Sequence, residues 1–220
     1  MEIAAPTSLG LGRLTVDLAS DASAVLWLGH GAGGGINARD LTAVAAELPR
    51  HGITVVRHEQ PWRVAGKKVA PRPAALDVAW LETAPLVAEL AGGLPLLVGG
   101  RSAGARVACR TADAVGAVAV VCLSFPLHPP GKPEKSRLDE LLLPAVPVLV
   151  MQGDRDTFGD AELVTAELVK SETAGREGIR VVAVPGADHS MAVLKSSPID
   201  ADGVAALVVE SVLGFIRSVA

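Results

Sequence analysis

Aromatic residues make up only 3% of the 220-residue chain, and it has no tyrosine. Stacking of unpaired bases needs rings, so this scarcity argues against nucleic acid as a ligand. The charge agrees: 20 Lys and Arg stand against 24 Asp and Glu, a formal net charge of −4, with no long block of one sign. Cysteine is rarer still. Cys109 and Cys122 sit among small apolar neighbours, the setting of buried thiols rather than of a disulfide or a metal site. No apolar stretch approaches the roughly 18 residues of a membrane helix, and Glu2 stands where a secretory leader carries Lys or Arg. The expectation is a soluble cytoplasmic protein with no membrane contact, its core built from Val, Leu, Ile and Ala rather than from large rings.

Half the residues are apolar, and they are distributed in a regular way. Short Val/Leu/Ile runs at 24–28, 53–56, 95–98, 117–121, 146–151 and 179–184 are bounded by Gly and Pro, as suits strands buried on both faces. Helix-like stretches lie between and after them at 38–48, 74–90, 103–112, 160–171 and 203–218. In the last, Val204, Leu207, Val208, Val212, Phe215 and Ile216 share one stripe that needs a sheet to cover it. The alternation predicts one three-layer α/β/α domain over residues 1–220, with a mostly parallel central sheet and no large lid. Residues 13–18 alternate polar and apolar and are expected to form an edge strand with one wet face. Two loops rich in Pro, Gly, Lys and Arg, 60–72 and 126–137, follow strands at the sheet's carboxyl edge, where such folds bind ligands.

At that edge the strand ending in Val98 runs into Gly99-Gly100-Arg101-Ser102-Ala103-Gly104-Ala105, a G-x-S-x-G pattern between strand and helix. A sharp turn there pushes the Ser102 hydroxyl clear of the sheet, and small flanking residues let the neighbouring backbones approach. The N–H of Ala103, at the positive end of the following helix, is aimed where an oxyanion would develop. A second glycine run, Gly29-His30-Gly31-Ala32-Gly33-Gly34-Gly35, follows the 24–28 strand and can supply the other amide. A dinucleotide-binding turn starting at Gly31 would require glycine at position 36, which is Ile36, and no Gly-Lys-Ser/Thr follows, so both phosphate-loop readings fail.

A serine hydroxyl needs a base, and the base an acid to hold its tautomer. Later turns offer both: Gly153-Asp154-Arg155-Asp156-Thr157-Phe158-Gly159 and Gly186-Ala187-Asp188-His189-Ser190. His189 is the base; Asp154, Asp156 and Asp160 are candidate acids. Phe158 stands where a calcium loop would need an oxygen ligand, and His58 has no second histidine at metal-ligand spacing, so neither metal nor cofactor is expected.

These residues resemble the α/β-hydrolases, near the compact dienelactone-hydrolase-like enzymes. The resemblance implies that Asp156, last of Gly-x-x-Asp, is the acid, that His189 closes the matching Gly-x-x-His turn, and that Ala32, after His30-Gly31, donates an oxyanion amide. Three segments, Gly66-Lys67-Lys68, Gly100-Arg101-Ser102 and the 125–135 stretch from Phe125 to Lys135, resemble a branch of testis-expressed and NSL-complex hydrolase-like proteins. That branch includes members of assemblies, so two further expectations stand beside a small-molecule ester, thioester or lactone hydrolase. One is a homodimer or an interaction module using the Pro-Pro-Gly-Lys-Pro loop, and the other is acyl transfer or cofactor-free perhydrolysis by the same triad. Arg101, Gly33, Trp62 and His128 are assigned to substrate binding; Arg57, Arg63, Lys67, Lys68, Arg101 and Lys132 cluster at the same edge and read first as a solvated basic rim, second as a positive mouth for a carboxylate-bearing substrate. His30 orders the glycine loop through a backbone hydrogen bond.

Overall fold

A computed structural model describes residues 1–171 and 178–220. Eight strands, β1 (Glu2–Thr7), β2 (Gly10–Asp17), β3 (Ala24–Gly29), β4 (Ile53–Glu59), β5 (Leu96–Arg101), β6 (Ala119–Leu123), β7 (Val148–Gly153) and β8 (Ile179–Val184), form one sheet in the order β1-β2-β4-β3-β5-β6-β7-β8. The hairpin β1–β2 and the pair β2–β4 are antiparallel, and every other pair is parallel. The connections carry α1 (Arg39–Glu47), α2 (Pro61–Val64), α3 (Pro73–Ala91), α4 (Ala103–Thr111), α5 (Leu138–Leu141), α6 (Ala161–Lys170) and α7 (Ala201–Val219).

The sheet separates two apolar cores, and successive residues of a strand feed opposite ones. On β3, Val25 and Trp27 join Leu76, Trp80, Val107 and Val164 beneath α3, α4 and α6. Ala24, Leu26 and Leu28 join Leu41, Val44, Val204 and Val212 beneath α1 and α7. Burial on both faces is why these strands read as unbroken apolar runs. The few rings are concentrated rather than dispersed: Trp27 and Trp80 stack at 3.6 Å with His58 beside them, and Phe125 is fully buried. Large rings therefore contribute more to the core than composition implied.

The sheet's borders differ from the sequence reading. β2 is an inner strand; the edge is β1, which composition hid because it buries one residue, Ala5. Residues 179–184 form the opposite edge and are mostly half-exposed, not covered on both faces. The parallel strands β3, β5, β7 and β8 all end at one border, and the chain turns there at four places. No helix among the described residues is long and apolar enough to cross a membrane.

Candidate active site

Ser102 follows β5 in the turn before α4 with φ 53° and ψ −109°, a left-handed backbone that a non-glycine residue adopts only when its surroundings enforce it. They do so here by backbone contact. A Cβ on Gly104 would lie 2.4 Å from the Gly29 carbonyl oxygen, and one on Gly100 would lie 2.5 Å from the same atom, so β3 and α4 meet with no room for a side chain. The Ser102 N–H donates to Leu123 O at 3.0 Å and its carbonyl accepts from Arg106 N at 3.2 Å, which pins both sides of the turn.

The turn after β7 delivers Asp156 and the loop after β8 delivers His189. His189 Nδ1 lies 2.7 Å from Asp156 Oδ2, and Nε2 lies 2.9 Å from Ser102 Oγ. A carboxylate only accepts, so Nδ1 carries the proton and Nε2 is left to receive one from the hydroxyl. Asp156 is buried and held twice more, accepting from Phe158 N at 2.8 Å and from Gln152 Nε2 at 2.9 Å. The Phe158 ring stacks on the imidazole at 4.0 Å. Of the other candidate acids, Asp154 accepts from Gly186 N and Asp160 caps α6 through Leu163 N; neither reaches His189.

Ser102 and His189 open into a cleft of about 570 Å³ lined by Gly31, Ala32, Gly33, Gly34, Arg39 and Phe158, among others. Ala103 is the first residue of α4, so its N–H has no acceptor within the helix. Behind the glycine run, His30 Nδ1 donates to Gly31 O at 2.8 Å while Nε2 accepts from Gln60 N at 3.1 Å. Burial lowers the His30 pKa, which keeps the ring in this neutral, one-donor form.

Four residues assigned to substrate binding are placed differently from one another. Gly33 lines the cleft. Arg101 lines it as well, but its Nε is 3.1 Å from buried Asp40 Oδ2 and its Nη2 donates to His189 O, so its charge is already matched. Burial raises the Asp40 pKa and Arg101 opposes the rise. Trp62 lies outside the cleft, because α2 turns directly after β4 and packs the indole against His30; it walls a separate cavity of about 280 Å³ with Leu9, Leu11, Lys67 and Ala75. His128 is buried behind Phe158, whose carbonyl accepts from His128 N at 3.0 Å. The expected positive mouth is correspondingly reduced: Arg57 pairs with Asp17, Arg101 with Asp40, and Lys67 lines the other cavity. The cation that does line the cleft and is exposed is Arg39, which was not singled out.

Sequence reasoning also passed over Gln152, Asp40 and the stacking role of Phe158. A polar side chain near the end of a buried strand is a signal for Gln152, and an acid in the first turn of a helix beside the buried Leu41, Val44 and Ala45 is one for Asp40. Cys109 and Cys122 are free and buried, with sulfurs 3.5 Å apart. Among the described residues no three His, Cys, Asp or Glu side chains gather as metal ligands.

The sequence profile of a family described as an alpha/beta hydrolase domain matches residues 22–217. Among solved structures, the chain is similar to an α/β serine hydrolase without a lid from Xanthomonas campestris, at 21% identity over 98% of this chain and 94% of that one, with TM-score 0.75. It is similar to Est1E from Butyrivibrio proteoclasticus at 15% identity, covering 98% and 99%, with TM-score 0.72. A dienelactone hydrolase from Anabaena variabilis shares 17% identity over 96% and 94%, with TM-score 0.70. At these identities the likeness concerns the fold.

Proposed function

The chain belongs to the alpha/beta hydrolase domain family, and we propose that it is a serine hydrolase of small-molecule carboxylic esters, thioesters or lactones that works through an acyl-enzyme on Ser102. The reading is carried by one observation: a continuous chain from Asp156 through His189 to Ser102 at 2.7 and 2.9 Å, ending on a strained turn at the floor of an open cleft.

In the first half-reaction Ser102 Oγ attacks the acyl carbon as His189 Nε2 takes its proton, and the N–H groups of Ala103 and Ala32 receive the oxyanion. Each such donor is worth about 3 kcal/mol in comparable sites. The tetrahedral adduct collapses when His189 returns the proton to the leaving oxygen or sulfur. Water enters by the same route and attacks the acyl carbon as His189 takes its proton; the bond to Ser102 Oγ then breaks, His189 returns that proton to the serine, and the acid leaves. Asp156 stays ionised, holding the imidazole tautomer and stabilising its cation. The scheme calls for no cofactor. The open cleft, whose wall of Gly31, Ala32, Gly33 and Gly34 offers few side chains to grip a long chain, suits a small acyl group better than a lipid.

Hydrolysis of nitrophenyl esters of short acids tests this reading. The wild type is expected to turn over and to gain one acyl mass on Ser102 under acid quench, while Ser102→Ala loses both. Undiminished hydrolysis by Ser102→Ala would overturn it.

A further inference from the structure

Arg101 stands immediately before the serine, with its side chain 11% exposed, and contacts three separate parts of the site. Its Nε is 3.1 Å from Asp40 Oδ2 in the first turn of α1, a charge contact in which neither atom makes a hydrogen bond, and the Asp40 side chain is 1% exposed. Its Nη2 donates to the carbonyl of His189. Its Nη1 faces the glycine loop, where a Cβ on Gly31 would lie 3.4 Å away. Building on the hydrolase reading, we propose that the Arg101–Asp40 pair is a positioning clamp, in which Asp40 orients the guanidinium and the guanidinium fixes the His189 loop against the nucleophile turn.

Stability alone gives little reason for such a pair. Taking two charges out of water costs about as much as their attraction returns, and well-packed apolar residues of similar size commonly serve as well. What an apolar pair cannot supply is direction. The His189 loop runs from 185 to 200 between β8 and α7 without helix or strand. Its internal bonds, Asp188 Oδ1 accepting from Ser190 N at 2.7 Å and Ala192 N at 3.0 Å, shape the loop but do not tie it to β5. The bond from Arg101 does, and it grips the backbone of the residue whose imidazole must stay 2.9 Å from Ser102 Oγ. Misplacement by about 1 Å at such a distance can cost on the order of a hundredfold in rate. Arg101 therefore acts through His189, and its matched charge is not the anchor for an anionic substrate.

Separating positioning from stability requires removing both charges together. Arg101→Met leaves the Asp40 carboxylate buried without a countercharge, held only by Leu41 N, and is expected to lower the melting temperature. Arg101→Met/Asp40→Leu is expected to recover most of that loss, yet to react with a fluorophosphonate at Ser102 about ten- to a hundredfold more slowly than wild type. Arg101→Lys keeps the charge but cannot serve Asp40 and His189 at once; it is expected to fold and to react slowly even if the double variant does not fold. Recovery of the wild-type rate in either variant would overturn the clamp. The His189 Nδ1–H resonance reads the same geometry without any reaction: it should be sharp in wild type and broadened in Arg101→Lys. A wild type that never labels would sink the hydrolase reading alone, and the clamp would then stand or fall on that resonance, an unchanged signal overturning it.

Discussion

Asp156 Oδ2 serves two donors, the Gln152 amide at 2.9 Å and His189 Nδ1 at 2.7 Å, so the imidazole is only as well placed as the amide allows. The same amide Nε2 also reaches Phe125 O and Gly159 O, while its own Oε1 is buried without a partner. Gln152→Met deletes the donor and the orphaned acceptor together. Stability is expected to fall by about 1–3 kcal/mol, because Gly159 O and the buried Asp156 carboxylate each lose a donor, offset in part by removal of the orphaned acceptor. Ester turnover should fall about tenfold or more in kcat, with KM nearly constant, since substrate does not touch this side chain. Asp156→Asn is expected to be far more severe, on the order of 10⁴ in kcat, because an amide donor favours the wrong imidazole tautomer. Steady-state kinetics on both variants check the order, and equal losses would contradict it. The serine, the histidine and their glycine turns were legible in the sequence because each is a local backbone demand written into a few adjacent residues. Gln152, Asp40 and Arg39 were not, because what they do depends on which distant loop arrives beside them.

The glycine-lined contact between β3 and α4 is what sets the serine's height above the sheet. Gly104→Ala would place a methyl 2.4 Å from Gly29 O and 2.5 Å from Gly29 C, and both are backbone atoms that cannot swing aside. The expected cost is about 3 kcal/mol, at the upper end for overpacking, read as a lower urea midpoint at unchanged slope. Labelling of Ser102 should fall further than stability does, since the strand and the turn must part. Elements of the central sheet were readable for a related reason: burial on both faces leaves continuous apolar runs such as 24–28 and 146–151. Of the N-terminal hairpin only β1 escaped, because it buries only Ala5, and β8 was read as too deeply buried because its apolar residues at an edge are only half covered.

Across the whole molecule, acid sensitivity should come from His58. Both its ring nitrogens are buried without partners, beside the Trp27–Trp80 stack, and burial, aided by His30, pushes its pKa down to about 3. Unfolded, the ring titrates near 6.5. Above that pH neither state binds the proton; between about 6.5 and 3 only the unfolded state does, so stability declines as pH falls. From pH 7 to pH 5 the loss from this group is about 2 kcal/mol. His58→Phe keeps the stack and removes the titration, so its urea midpoint should change less over that interval than the wild type's; identical acid slopes would contradict the assignment. The larger claim, that four turns from β3, β5, β7 and β8 converge on a working nucleophile, is most directly tested by fluorophosphonate labelling at neutral pH with the modified peptide mapped by mass spectrometry. The account predicts a single adduct on Ser102 in the wild type and none in Ser102→Ala, with labelling strongly reduced in His189→Ala. Folded wild-type protein that stays unlabelled, or an adduct that persists in Ser102→Ala, would contradict it.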